Sequence, residues 1–81
     1  MRATVLVRPK DGILDPQGEA VESSLRQLGF SVEEARIGRV IDIDVTAESP
    51  AAAREEIERM CERLLTNPHI ESYEIELAED P

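Results

Sequence analysis

A short alternating pattern opens the chain, with Ala3, Val5 and Val7 on one face of the run. A period of two is typical of a β-strand with one buried face, so residues 2–8 are predicted to form the first strand. Pro9 ends the run because proline has no N–H to donate to a neighbouring strand.

A helical pattern follows. Asp15 is a good N-cap, and Pro16 suits the first helical position, where the missing N–H costs nothing. Gly29 stands where a left-handed C-terminal cap is expected. The spacing predicts an amphipathic helix whose apolar face is formed by Val21, Leu25 and Leu28.

Alternation returns between residues 31 and 46, with Val32 in a first arm of the pattern. The second arm contains Ile41, Ile43 and Val45. Residues 36–39, Arg-Ile-Gly-Arg, interrupt the alternation. They predict either a hairpin turn or a bulge in one long bent strand, because glycine permits both.

The second helix is predicted to begin at the N-cap Ser49, with Pro50 as its first residue, and to end at Asn67-Pro68. A last strand alternates Tyr73, Ile75 and Leu77 with glutamates, and residues 78–81 read as a frayed acidic tail. The apolar stripe of the second helix comprises Ala53, Ile57, Met60, Cys61 and Leu64.

The predicted order is β-α-β-β-α-β over a single domain of residues 1–81. It indicates an α+β fold of two layers, an antiparallel sheet with two helices on one face. The other sheet face would then be uncovered, leaving Leu6, Val40 and Ile37 in need of a partner. A chain of 81 residues has a thin core, and its single cysteine cannot form an internal disulfide, so self-association is expected to add stability.

The formal net charge is −9, and it is unevenly distributed. Residues 1–40 carry six basic and six acidic groups, whereas residues 41–81 carry three and twelve. A negative field repels phosphate, so neither nucleic acid nor an anionic membrane is an expected partner. The first apolar run is too short for a signal peptide or a membrane span, so a cytoplasmic location with a reduced cysteine is expected.

Candidate catalytic and metal-binding residues are few. Acidic side chains alternate at residues 42 and 44 and again at 74 and 76, a pattern more typical of a solvated strand face than of a metal site. His69 has no catalytic partner at a known spacing, and Cys61 lies on the apolar stripe as a core residue. No catalytic, cofactor-binding or metal-binding residue is therefore predicted.

Basic residues gather around two segments: Arg36 and Arg39 flank Gly38, while Arg8 and Lys10 close the first strand. Two interpretations stay open: docking of an acidic partner, or protection of strand ends. The glycines of the first turn do not match a phosphate-binding loop, and Asp15 already occupies the anion position at the helix N-terminus.

Two segments resemble the PurS family, the small subunit of bacterial and archaeal phosphoribosylformylglycinamidine (FGAM) synthase. The first comprises Lys10, Gly12, Leu14-Asp15-Pro16-Gln17-Gly18, Ala20-Val21, Leu25 and Leu28-Gly29. The second comprises Met60-Cys61, Leu64-Leu65, Asn67-Pro68, Ile70-Glu71 and Tyr73-Glu74-Ile75-Glu76. Gly38-Arg39 falls where the family usually has glycine and lysine. Departures at Thr66, His69 and Ser72 remove no charge on which the resemblance depends.

The resemblance implies a non-catalytic subunit of a ligase complex in purine biosynthesis. In that complex a glutaminase subunit (PurQ-like) releases ammonia, and a synthetase subunit (PurL-like) uses ATP and magnesium to convert formylglycinamide ribonucleotide to FGAM. PurS-like chains associate as dimers or tetramers, bridge the two enzymes and assist ammonia transfer. The expected interface residues are Lys10, Asp15, Gln17, Gly18, Arg36, Gly38 and Arg39.

An alternative from another class is a small ACT-like regulatory domain, which shares the element order and binds an amino acid near the first strand-to-helix turn. Gly12 and Gly18 would let such a ligand approach the backbone.

Overall fold

The computed structural model describes residues 1–78, so residues 79–81 of the predicted tail lie outside the described part. Its helices and strands alternate in the order β-α-β-α-β. The α+β class and the antiparallel sheet are confirmed. The elements are β1 (Arg2–Pro9), α1 (Pro16–Gln27), β2 (Arg39–Asp44), α2 (Pro50–Met60) and β3 (Glu71–Ala78).

β1 is the central strand of a three-stranded sheet in the order β2-β1-β3, and both pairings are antiparallel. Val5 lies opposite Ile41 on one side and Ile75 on the other, so the apolar positions of all three strands share one face. A small fully buried core results from this register. It consists of Ala3, Val5, Val7, Val45, Ala53, Ile57 and Cys61.

α2 supplies the helical half of that core. The Ser49 hydroxyl accepts a hydrogen bond from the Ala52 N–H at 3.1 Å, which caps the helix as its sequence predicts. Ala53 and Ile57 are fully buried against the sheet. α2 packs more extensively against β3 than against β2.

A single π-helical turn, Cys61–Leu65, continues α2. The Thr66 N–H donates to the Cys61 carbonyl at 3.0 Å, the five-residue spacing of a π-turn. The wider turn changes the direction of the following side chains: Leu65 packs against the core, and Leu64 is 83% exposed. The prediction that Leu64 belongs to the buried stripe is therefore wrong.

The predicted strand around Val32 does not form. The chain instead runs back along α1, held by side chains of that helix. Arg26 donates to the carbonyls of Val32 at 2.9 Å and Glu33 at 2.8 Å, and the Glu22 carboxylate accepts from the Ala35 N–H at 2.7 Å. Among residues 1–78 there is no hairpin at Gly38, because the segment from Val32 to Ala35 is hydrogen-bonded to side chains of α1 rather than to β2. We call residues 15–38, which comprise α1 with its N-cap and the returning chain, the arm.

The arm extends beyond the end of the sheet rather than lying on it. An eight-residue strand is about 26 Å long. The twelve-residue α1 adds about 18 Å. Placed end to end, these lengths account for most of the 50 Å long axis of the molecule, which is only 14 Å thick along its shortest axis. Within the described residues α1 has no extensive packing against a strand or against α2, so only α2 occupies the predicted helical layer.

Candidate docking surface

The turn between β1 and α1 is fixed by backbone hydrogen bonds. The Lys10 N–H donates to the Ile70 carbonyl at 2.8 Å, and the Ile13 N–H donates to the Lys10 carbonyl at 3.2 Å. Gly12 adopts a φ of 83°, which favours glycine. Leu14, at the tip of this turn, is 72% exposed.

Asp15 joins the start of α1 to the returning chain. One carboxylate oxygen accepts from the Gly18 N–H at 3.0 Å, and the other accepts from the Ile37 N–H at 2.8 Å. These two bonds, with the Ile37 bond the larger cause, lower the pKa of the Asp15 carboxyl below its ordinary value. A Cβ on Gly18 would lie 2.4 Å from the Ala35 carbonyl oxygen, so only glycine fits this close approach.

The predicted interface residues of the turn therefore fall into two groups. Asp15 and Gly18 are used inside the arm, where they hold the returning chain against α1. Lys10 and Gln17 are exposed on its surface. The structure brings all four to one end of the molecule, beside the exposed Leu14.

The returning chain enters the sheet at Gly38. A Cβ on this residue would lie 2.2 Å from the Val7 carbonyl oxygen, so a larger residue would separate β2 from β1. Arg36, just before it, pairs with Asp11 at 3.2 Å and so connects the returning chain to the turn. The segments around Lys10 and Arg36 therefore lie side by side, and their role as docking elements stays a prediction.

Arg39 has a structural role in addition to its predicted one. Its guanidinium forms a two-point ion pair with Glu71, at 2.6 and 3.1 Å, and donates to the Leu65 carbonyl. Glu71 also accepts from the Asn67 N–H at 2.8 Å, and its side chain is only 17% exposed. Arg39, then Asn67, lower the pKa of the Glu71 carboxyl. This network ties the start of β2 to the end of the π-turn and to β3.

Replacing Glu71 by glutamine is expected to lower the free energy of unfolding by about 1–2 kcal/mol near neutral pH, because charge-assisted hydrogen bonds become neutral ones. Folding lowers the Glu71 pKa, so the stabilisation is fully present above the unfolded value near 4.5 and is lost as the pH falls through the folded value. The difference between wild type and Glu71→Gln should therefore shrink below about pH 4.5, measured by urea unfolding.

Glu74→Gln is the matched control, because Glu74 lies on the same strand and pairs with Arg8 at 3.4 Å but is 67% exposed. Its expected effect is within about 0.5 kcal/mol at every pH. A Glu71→Gln deficit that does not change with pH would show that the ion pair is not its cause.

The open sheet face carries mostly charged side chains. Arg2 pairs with Asp44 at 3.3 Å, and the Thr4 hydroxyl donates to Asp42 at 2.9 Å. Leu6 is half-buried there and Val40 is 62% exposed, whereas Ile37 precedes β2 and is not part of the sheet, so the apolar patch is smaller than predicted. Within the described residues, no group of three or more histidine, cysteine or acidic side chains is placed to hold a metal ion.

The two remaining candidates for catalysis or metal binding are Cys61 and His69. Cys61 is fully buried, and burial raises the pKa of its thiol, with a smaller contribution from nearby acidic residues. His69 is exposed in the connection to β3, where its backbone N–H donates to the Asn67 side-chain oxygen at 3.2 Å. No helix in the part of the chain that the structure describes is long and apolar enough to cross a membrane.

The structure also shows exposed apolar side chains at the end of α1. Leu28 is 73% exposed and Phe30 is 59% exposed, both at the far end of the arm. Periodicity identifies the apolar face of α1 correctly but does not show that the face lacks a partner within one chain. Whether the face is covered depends on where the arm lies, which local spacing does not encode.

A small α+β module with an arm and an exposed turn is the class of protein that these features define. The family model for PurS, phosphoribosylformylglycinamidine (FGAM) synthase, matches residues 2–79. The chain therefore belongs to the PurS family, which sets aside the ACT-like alternative.

Curated relatives cover nearly the whole chain. It is 45% identical to the PurS subunit of phosphoribosylformylglycinamidine synthase from Archaeoglobus fulgidus, with 93% of this chain and 95% of the relative aligned. It is 40% identical to the Methanocaldococcus jannaschii subunit, over 94% of this chain and 93% of the relative.

Solved structures share the same fold. The crystal structure of M. jannaschii PurS, described as a subunit of formylglycinamide ribonucleotide amidotransferase in the purine biosynthetic pathway, matches with a TM-score of 0.86 and 38% identity, covering 99% of this chain and 98% of that one. A chain in the structure of PurLQS from Thermotoga maritima matches with a TM-score of 0.86 and 36% identity, covering 93% of each chain.

Proposed function

We propose that this chain is the small, non-catalytic subunit of an FGAM synthase complex in purine biosynthesis. The observation that carries the proposal is the near full-length likeness to a chain of the Thermotoga PurLQS assembly. The exposed turn supports it, because Leu14 offers an ordered apolar contact beside charged residues. In this proposal the chain contributes through binding rather than through chemistry.

In this role the chain bridges a PurQ-like glutaminase and a PurL-like synthetase and assists the passage of ammonia between them. ATP and magnesium are used by the complex and bound by its other subunits. The docking element is the surface formed by the β1–α1 turn and the segment that enters β2. Its proposed residues are Lys10, Asp15, Gln17, Gly18, Arg36, Gly38 and Arg39. Asp15, Gly18 and Gly38 act by shaping the element, while Lys10, Gln17 and Arg36 present side chains.

Self-association as a dimer or tetramer belongs to the same proposal. One chain leaves two apolar surfaces partly exposed. The first is the apolar face of α1, where Leu28 is 73% exposed. The second is the β2 side of the sheet, where Ile41 and Ile43 are only half-buried. The apolar face of α1 needs a surface to pack on, and the apolar side chains of β2 need a helix to cover them. The arm points away from its own sheet, so a second copy is the nearest source of a covering helix. The mainly charged open sheet face is less suited to this contact than α1 and β2.

The test is FGAM formation by purified synthetase and glutaminase, with and without this chain, supplied with glutamine or ammonium. We expect the chain to raise glutamine-driven turnover by about tenfold or more, because coupling replaces diffusion of free ammonia with transfer inside a complex. Ammonium-driven turnover should change less than about twofold, since that reaction needs no coupling.

Bovine serum albumin at equal mass controls for nonspecific stabilisation. Equal stimulation with both nitrogen sources would indicate activation of the synthetase rather than bridging. No effect on either reaction would overturn the proposed role.

A further inference from the structure

A groove of about 490 Å³ lies on the sheet at the end nearest the arm. Its floor is apolar because Leu6 lies directly opposite Val40 across β1 and β2. Gly38 contributes no side chain, and its backbone lies against Val7. The groove walls include Arg8, Pro9, Arg36 and Arg39.

Two of the three arginines in the groove are available for exchange of partners. Arg8 pairs with Glu74 at 3.4 Å and Arg36 with Asp11 at 3.2 Å; the Glu74 side chain is 67% exposed and that of Asp11 is fully exposed. Exposed ion pairs of this kind are weak because water and salt screen them, so an incoming carboxylate can replace Glu74 at Arg8, and Asp11 or the more distant Glu34 at Arg36. Arg39 differs, because its two-point pair with Glu71 is part of the fold.

The pattern of charge and apolar surface indicates what the groove recognises. Exchangeable guanidinium groups on a chain of net charge −9 favour an acidic partner locally, and the exposed Val40 adds an apolar contact between them. A free phosphate ion would leave that apolar floor in water. β1 is paired on both sides, so a segment that lies over Leu6 and Val40 cannot add to β1 as a strand and contacts its side chains there.

We propose that this groove binds an acidic protein segment carrying one apolar side chain, presented by an enzyme subunit of the complex. The carboxylates of the segment pair with Arg8 and Arg36, and its apolar side chain packs on Leu6 and Val40. The proposal rests on the proposed function, and it adds Leu6, Arg8 and Val40 to the docking element.

The test uses the charge reversals Arg8→Glu and Arg36→Glu in the full chain, with affinity for the purified synthetase and for the purified glutaminase measured by titration calorimetry. We expect each reversal to weaken binding to the same subunit by about tenfold or more. Wild-type affinity for that subunit should fall as salt is raised from about 50 to about 200 mM.

Arg2→Glu is the matched control, because Arg2 also pairs with an acidic residue on the open face, Asp44 at 3.3 Å, but at the opposite end of β1. It should change the affinity less than about twofold. Circular dichroism and sedimentation confirm that each variant keeps its fold and oligomeric state.

Four outcomes would overturn the proposal that this groove binds an acidic segment. They are unchanged affinity of both reversals, equal weakening by Arg2→Glu, loss of self-association rather than of subunit binding, and displacement of the subunit by inorganic phosphate at millimolar concentration. The first would leave the proposed function intact, provided that the wild-type chain binds a subunit. Failure of the wild-type chain to bind either subunit would instead refute the bridging role itself.

Discussion

Replacing Ile57 by alanine is expected to lower the free energy of unfolding by about 2–5 kcal/mol. Ile57 is fully buried, is the largest side chain in the core, and belongs to a set of seven buried apolar residues within residues 1–78. Removing three methyl or methylene groups from such a site costs about 2–5 kcal/mol, because lost burial and the remaining cavity both contribute. Total stability for 81 residues is roughly 4–12 kcal/mol, so the loss is a large share of it.

Urea unfolding followed by circular dichroism, at one fixed protomer concentration, measures this loss. Leu64→Ala is the matched control, since Leu64 lies in the π-turn that continues the same helix but is 83% exposed. Its free energy of unfolding should change by less than about 0.5 kcal/mol. Similar losses for the two variants would mean that Leu64 is covered in solution, and that the contact between α2 and the sheet is not the dominant source of stability.

Sequence patterns predict the elements well where local chemistry and tertiary packing agree. Both helices begin at the predicted caps, because Asp15 and Ser49 each accept a hydrogen bond from the backbone N–H three residues on. β1 and β3 lie where the alternation places them, and their register brings the apolar positions to one face.

Prediction fails where a long-range contact decides the outcome. The alternating residues around Val32 suit a strand, but the carboxylates of Asp15 and Glu22 take the backbone N–H groups of Ile37 and Ala35 that a neighbouring strand would need. Leu64 fits a period of 3.6, but the π-turn changes that period. Neither event leaves a signal in local spacing.

For the candidate docking surface, too, local features could be predicted from the sequence and long-range contacts could not. The sequence predicts that Lys10, Arg36 and the glycines belong to an interface, because turns and charge clusters are local features, and this stays a prediction. It does not reveal that Arg39 is paired with Glu71 across the sheet end, or that Leu14 is exposed. Both facts depend on where the arm leaves the sheet.

Replacing Leu28 by aspartate is expected to weaken self-association by at least about a hundredfold without lowering the stability of one chain. Leu28 is 73% exposed, so its own chain loses little. In the proposed assembly it is buried by a second copy, and burying a leucine contributes about 1.5–3 kcal/mol at each symmetric site. A carboxylate there would also have to be desolvated. Sedimentation equilibrium at micromolar concentrations measures the change.

Val40→Asp is the control for this variant. Val40 is 62% exposed, but it lies on the other face of the sheet, away from the proposed contact between copies. It should leave the oligomer unchanged while impairing the groove for the enzyme subunit. If Val40→Asp dissociates the oligomer and Leu28→Asp does not, the copies meet through the open sheet face instead.

Disulfide trapping then determines whose sheet the arm covers. Val21→Cys and Ile43→Cys are placed on separate copies, mixed and oxidised mildly, with the buried Cys61 as unreactive background. An arm that covers a second copy gives a mixed disulfide between copies, whereas Val21→Cys with Val40→Cys, on the opposite face of β2, gives none above background. In the double variant Val21→Cys/Ile43→Cys, a bond formed only within one chain would mean that α1 closes over its own β2, and the exchange of arms would be refuted.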